Sequence, residues 1–473
     1  MDLSEIYRLS KPKLAPPLHP SFIPLVHINH NFQDYVAKSE RGVPLVIGIE
    51  RGDQSLSVFR TRCLDEGSAS AEMNLTYAER LVKTLLWQRG GWRVIMGGPP
   101  SVGEHIRQVY SQAGPRRFDS DFMAGIYERP FTVEVTDAAN VPAPREGTVR
   151  LGGHLEGCRI GFDLGASDRK VAAVKDGEAV YTEEVVWDPR NAADPQYHFA
   201  EINTALKTAA QFLPRVDAVG GSAAGVYLNN HPRVGSLYRA VPAPLFETRI
   251  RHLFHDLQKA WGGIPFAVVN DGEVTALAGA MSLNDGAVLG MALGSSEAGG
   301  YVTPAGELTT WLNELAFCPV DLDPQAPADE WSGDKGVGAN YFSQQAVFRL
   351  APLTGIPLDA TLGPAEKLKS VQERLHRGDE RARLIFDTIG CYVGYGVAHY
   401  ADFYELRHVL ILGRVTSGEG GNIILNRARE VLQAEFPGLA ARVNLHLPDE
   451  STRRVGQAVA AASLPLIGLN TKD

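Results

Sequence analysis

"IGFDLGASDRKVAAV" occupies Ile160–Val174, and its reading decides the fold. Ile160, Phe162 and Leu164 alternate with Gly161 and Asp163; a small polar turn follows at Gly165-Ala166-Ser167, and an apolar run resumes at Val171. Alternation on both sides of small residues predicts a β-hairpin. Two readings of that hairpin stand side by side. One is a plain structural turn. The other is a phosphate-binding turn, in which small side chains let backbone N–H groups approach an anion and Asp163 offers a hard oxygen to a metal.

Working outward, strands are expected at 159–164, 170–175 and 179–186, forming an antiparallel meander around the Asp176-Gly177 turn. A helix at 199–213 follows, with Phe199, Ile202, Leu206, Ala209 and Leu213 at helical spacing. Strand, helix and strand come next in 216–271. A helix at 273–283 then leads into "AVLGMALGSSEAGGYVTPAGEL" (287–308), again two strands around a Gly- and Ser-rich turn, Gly294–Gly300. Each half thus opens with strand, small turn and strand, and continues in alternating helices and strands. That repetition predicts a duplicated α/β fold with two lobes and a ligand crevice where strands end.

At 473 residues, more than one folding unit is expected. The segments expected are 1–150, an N-terminal arm plus a small α/β unit; 151–285, a first lobe; and 286–473, a second. Within the first, residues 1–40 read as irregular, 44–64 as two strands, 76–89 as a helix, 92–98 as a strand, and 138–147 as a linker. Its role is open between an oligomerisation surface, a lid and a degenerate copy of a lobe. The net charge of −9 and scattered basic residues argue against nucleic acid as a partner. No stretch approaches the roughly 18 apolar residues of a membrane span, the first twenty residues lack the apolar core of a signal peptide, and four distant cysteines form no CxxC pair. A cytoplasmic protein is expected.

Three further stretches carry chemistry. In "AVVNDGEVTALAGAM" (267–281) an apolar strand delivers Asn270 and Asp271 at its carboxyl end. They either turn the strand and cap the helix, or place Asp271 to accept the proton of an attacking alcohol. The turn Gly294-Ser295-Ser296 has the same small-residue character as Gly165-Ala166-Ser167. In "HVLILGRVTSGEGG" (408–421), Gly413 ends a strand before a polar loop, which either leaves space for a nucleobase or is an ordinary connection.

The order "FDLGASDRK", "VVNDGEVTALAGA", "ALGSSEAGGYV", "LNELAFC" and "LILGRVTSGEG" resembles the ROK family of sugar kinases and regulators, over about 158–470. The resemblance implies a duplicated ribonuclease-H-like (actin-like ATPase) α/β fold and transfer of a phosphoryl group from ATP, with Mg²⁺, to a hydroxyl of a sugar or polyol. It implies Asp271 as general base and Asp163 as the metal site. It implies a phosphate and nucleotide site of Asp163, Gly165, Ser167, Lys170, Gly294, Ser295, Ser296 and Gly413. Asn270, Asp271 and Glu314 become ligands of the substrate. A second copy of the chain, in a homodimer, is an open expectation.

The departures are specific. Where the family motif carries a sugar-binding histidine the chain has Phe317, and the cysteine-rich zinc motif is absent, with Cys318 alone nearby. A second sugar-ligating glutamate would fall at Ala339 or Asn340, and Glu297 stands in the second phosphate turn. A carboxylate aimed at phosphates would repel them unless it faces away or helps hold the metal. The alternative expectation is therefore a catalytically inactive sugar-binding or regulatory protein of the same fold. A DNA-binding regulator would need a helix-turn-helix, and a strand is expected at 92–98 where the recognition helix would stand.

Overall fold

The computed structural model describes residues 3–149, 151–448 and 450–468. They fall into two compact units: 148–290 with 300–309 and 448–473, and 1–147 with 291–299 and 310–447. The chain crosses from one to the other within the strands Val288–Leu293 and Glu297–Val302.

In the first of these units, Cys158–Leu164 is the middle strand of a five-stranded sheet, and all seven of its residues are buried. On one side it pairs antiparallel with Asp168–Lys175, which pairs antiparallel with Glu178–Val186; on the other it runs parallel to Ala218–Ala223, itself parallel to Phe266–Asn270. This is the expected meander followed by parallel strands. Alternate residues of the middle strand serve opposite faces. Ile160, Phe162 and Leu164 enter a core with Ile202, Leu206, Phe254, Leu257 and Val268. The other face is set by small residues. A Cβ added at Gly161 would lie 1.9 Å from Ala458 O, and one at Gly220 would lie 1.7 Å from Ala461 O. The helix Glu450–Ala462 therefore rests directly on the sheet backbone, with Ala458 and Ala462 packed on Ala172 and Val174.

The other unit contains a four-stranded sheet in the order Leu56–Leu64, Gly42–Glu50, Arg93–Gly97, Thr132–Thr136. Gly42–Glu50 is antiparallel to both its neighbours, and only the last pair is parallel. The step from the first hairpin to the next strand is thus antiparallel here and parallel in the Asp163 sheet, so the N-terminal sheet is not a copy of that lobe. The strand Arg93–Gly97 is the one expected at 92–98.

Two expectations for the N-terminal segment need correction, and one helix is unexpected. Residues 1–40 are not irregular: Leu25–Lys38 is a helix that buries Leu25, Ile28, Phe32 and Val36, and Leu3–Leu9 is another. Arg117–Tyr127 is a helix with no counterpart in the sequence reading. Residues 138–147 are not a free linker, because Val141 is buried against Val46, Leu56 and Ile95, and Arg145 exchanges two backbone hydrogen bonds of 2.9 Å with Leu56.

Nor does the segment stand apart, since it shares a unit with residues 310–447. Asp334, in the stretch "SGDKGVG" (332–338), meets Arg80 Nη1 at 3.0 Å, Lys83 Nζ at 3.3 Å and Arg116 Nη1 at 2.6 Å. Lys83 also donates to both oxygens of buried Asp119 at 2.9 Å. Likewise residues 450–468 belong with the Asp163 sheet rather than with 310–447. Among the described residues no helix is long and apolar enough to cross a membrane.

Glycine content at the helix–sheet contact should be measurable in stability. Gly220→Ala should lower the unfolding free energy by about 3 kcal/mol, because a fixed backbone carbonyl leaves the methyl no room. Gly125→Ala, in the Arg117–Tyr127 helix with open space around the added Cβ, should raise it by up to about 1 kcal/mol. Urea titrations of the two variants check both signs.

Candidate functional site

Asp163 is the penultimate residue of the middle strand, and pairing brings it a partner from each side. Ser222, in parallel register with it, donates Oγ to Asp163 Oδ1 at 2.6 Å. Lys170, in antiparallel register, brings Nζ to 3.4 Å from Oδ2 and to 3.1 Å from Asp168 Oδ1. A nearly buried carboxylate is thereby held by a hydroxyl and an ammonium, as burial of a charge requires. The adjoining turn is closed on itself: Gly165 N–H donates to Asp168 O at 3.0 Å, and Trp187 Nε1 donates to Gly165 O at 2.8 Å. Ser167 is exposed, and its Oγ donates to Asp168 Oδ2 at 2.9 Å. Ser222 and Trp187 are absent from the sequence-predicted set, because only strand register reveals the first and only the folded turn reveals the second.

Asn270 ends the parallel strand Phe266–Asn270, and Asp271 opens the helix Asp271–Leu283. Asn270 does cap that helix: Oδ1 accepts from Gly272 N–H at 2.7 Å while Nδ2 donates to Gly225 O at 2.7 Å. Both ends of the amide expected to meet a substrate are thus already engaged. Asp271 Oδ1 shares the Gly272 N–H at 3.0 Å. Burial raises the Asp271 carboxyl, and the negative charge of Asp163 raises it further, to about 6. The cap reading and the base reading of this pair are therefore compatible, with Asn270 doing the capping.

Two carboxylates that repel one another at strand ends suit a divalent cation. Mg²⁺ takes one or two carboxylates and otherwise water and phosphate oxygens, so it needs no protein cage. Among the described residues no group of three His, Cys, Asp or Glu side chains is placed to hold a metal ion. Asp163 fits a cation of that kind, in competition with Lys170.

In the other unit, Gly294 N–H closes its turn on Ser296 O at 3.0 Å, and Gly294 O accepts from Gln344 N–H at 2.9 Å, leaving Ser295 and Ser296 exposed. Gly413 (φ 104°) lies against this hairpin, where an added Cβ would be 2.4 Å from Leu293 O. The sequence-predicted Gly294 and Gly413 are therefore brought together. Glu297 turns the other way. Its side chain is buried, Oε1 accepts from Tyr400 OH at 3.1 Å, and Oε2 lies beside Gly338 with no hydrogen-bond partner. Burial, with a smaller push from the Glu314 charge and against the Tyr400 hydrogen bond, raises it to about 8. Glu297 is thus a neutral interior acid near neutral pH, and it does not oppose phosphate from its turn.

Glu314 is half-buried and follows Asn313, whose backbone is left-handed (φ 52°) and whose Oδ1 accepts from Tyr404 OH at 2.8 Å. Phe317 stacks on Trp87 at 4.2 Å between ring centroids and packs with Phe118 and Phe122. Cys318 is buried, with Sγ 3.7 Å from Thr84 O. Phe317 is thus taken up by aromatic packing against the helices Met73–Arg89 and Arg117–Tyr127. Tyr341 is fully buried and donates to Asp321 Oδ2 at 2.6 Å, so it is a core residue.

Glu297 makes stability fall as pH rises. Its folded-state value of about 8 lies above that of an exposed glutamate, so the folded chain holds the extra proton and loses that advantage from about pH 4.5 to 8. Glu297→Gln should flatten this decline, by up to about 1.4 kcal/mol per pH unit. Urea midpoints of both proteins from pH 5 to 9 check it.

No family model and no curated protein matches the chain. Solved structures do. A ROK family glucokinase from Streptomyces griseus, in complex with glucose and AMPPNP, is 20% identical over 65% of this chain and 98% of its own, with a TM-score of 0.49. A ROK hexokinase from Thermus thermophilus is 18% identical over 64% of this chain and 97% of its own, with a TM-score of 0.49. A ROK family transcriptional regulator, a homologue of the E. coli MLC protein, is 16% identical over 65% of this chain and 79% of its own, with a TM-score of 0.50. At such identities the likeness is one of fold. Over 65% of its length the chain has the actin-like ATPase α/β fold found in ROK-family proteins.

Proposed function

We propose that the chain is a divergent ROK-like kinase that transfers a phosphoryl group from Mg-ATP to a hydroxyl of a sugar or polyol. The observation that carries this reading is Asp271: a carboxylate at the carboxyl end of a parallel strand, raised to about 6 by burial and by neighbouring Asp163. A base tuned to that range is mostly ionised at neutral pH and still basic enough to take a proton from an alcohol. In the proposed step the acceptor oxygen attacks the terminal phosphorus, Asp271 takes the hydroxyl proton, and ADP leaves with the electron pair of the broken P–O bond. Bound Mg²⁺ would supply charge neutralisation on the phosphates.

Asp163 would hold the cation through water, with Ser222 fixing its orientation. The Gly165 and Gly294 N–H groups close their own turns, so phosphate donors would come from the following N–H groups and from the Ser167, Ser295 and Ser296 hydroxyls. Lys170 would contribute positive charge, Gly413 the flat approach for a nucleobase, and Glu314 with Asn270 the acceptor contacts. A second reading, a sugar-binding or regulatory protein without turnover, is favoured by the engaged Asn270 amide and by the Phe317 ring stacked on Trp87.

Asp271→Asn should lower kcat by about 100-fold or more while Mg-ATP affinity measured by calorimetry stays within about twofold. Unchanged turnover in that variant removes the base assignment. In the parent protein kcat/KM should fall tenfold per pH unit below about 6, as Asp271 becomes protonated, and the acid limb should vanish in the variant.

A further inference from the structure

We propose that the N-terminal helix Met73–Arg89 is the positioning element of the acceptor site, and that Trp87 is its key positioning residue. The inference rests on the reading of Glu314 as an acceptor ligand. An α-helix ends with four carbonyls that have no partner within it. Here they are Leu86, Trp87, Gln88 and Arg89, and all four are accounted for. Gly90 N–H caps Leu86 O at 2.8 Å. Consecutive N–H groups of Glu314, Asn313 and Leu312 take Trp87 O at 3.0 Å, Gln88 O at 2.9 Å and Arg89 O at 3.3 Å. The segment carrying Glu314 is therefore docked, residue by residue, on the end of this helix.

Side chains fix the same register. The Trp87 ring stacks on Phe317, three residues beyond Glu314, and its Nε1 donates to Asp119 Oδ1 at 3.1 Å. Asp119 is held in turn by Lys83, and all three side chains are buried. Asn313 holds its left-handed backbone within this seat, which sets the direction in which Glu314 leaves the chain. A helix from residues 1–147 therefore does in this chain what a self-sufficient acceptor loop would otherwise have to do. The N-terminal segment is part of substrate recognition and not an appended module.

The test uses the full chain and three variants: Trp87→Leu, the conservative Trp87→Phe, and Ile47→Val as a control buried in the N-terminal sheet. Amide hydrogen exchange is read at Leu312, Asn313 and Glu314, and KM is read separately for acceptor and for Mg-ATP. Trp87→Leu should speed exchange at the three amides and raise acceptor KM, each by about tenfold, with KM for Mg-ATP within about twofold. Trp87→Phe, which keeps a ring against Phe317, should recover most of both effects, and Ile47→Val should show neither. Wild-type protection at the three amides in Trp87→Leu, or both KM values rising together, would overturn the proposal. A parent protein with no turnover on any sugar or polyol counts instead against the phosphoryl-transfer reading, and the exchange measurement still decides the positioning claim.

Discussion

Asp163, buried, and Asp271, half-buried, stand at strand ends of one sheet, and loss of hydration together with the charge of the first pushes the second upward. Such a pair is unfavourable unless the fold compensates it. The compensation is visible in the strand pairing, which supplies Ser222 from one side and Lys170 from the other, and in the Gly272 N–H shared by Asn270 and Asp271. On the same face of the sheet as Asp163 and Ser222, Gly161 and Gly220 let the Glu450–Ala462 helix lie directly on the strands that carry them. A sheet that only needed stability would have no use for this arrangement, because apolar residues at the same positions cost less to bury. The retained charge is the reason to look for chemistry here.

The departures from the ROK motifs acquire a physical explanation in the other unit. Glu297 would repel phosphate if it followed its turn outward, but it enters the interior as a neutral acid under Tyr400. The Phe317 ring is absorbed by Trp87, Phe118 and Phe122, all from the N-terminal segment. The loop around Asp334 is pinned by Arg80, Lys83 and Arg116 from the same segment. Packing and buried ion pairs from the N-terminal segment thus hold both of these loops.

Strand alternation made the Ile160–Val174 hairpin and its meander legible in the sequence, and small residues marked the two turns. The helix Leu25–Lys38 was equally legible in principle, since Leu25, Ile28, Phe32 and Val36 keep helical spacing, but flanking prolines and interspersed histidines masked it. Ser222 could not be found this way, because its role depends on which residue of a distant strand lies beside Asp163. The direction of Glu297 also depends on tertiary context: a carboxylate enters a core only where burial shifts it to neutrality, and Tyr400 lies 103 residues further along the chain. Nor could sequence foresee that segments so far apart as 73–89 and 312–318 share one seat, since backbone carbonyls carry no sequence signature.

The central claim is that a raised Asp271 serves an alcohol acceptor and Mg-ATP. Phosphorus NMR of the full chain with Mg-ATP and a panel of hexoses and polyols tests it most directly. The account predicts a phosphate monoester signal that appears only with a suitable acceptor and grows in step with ADP. Inorganic phosphate released at the same rate with and without acceptors, or ATP left unchanged throughout the panel, would contradict it.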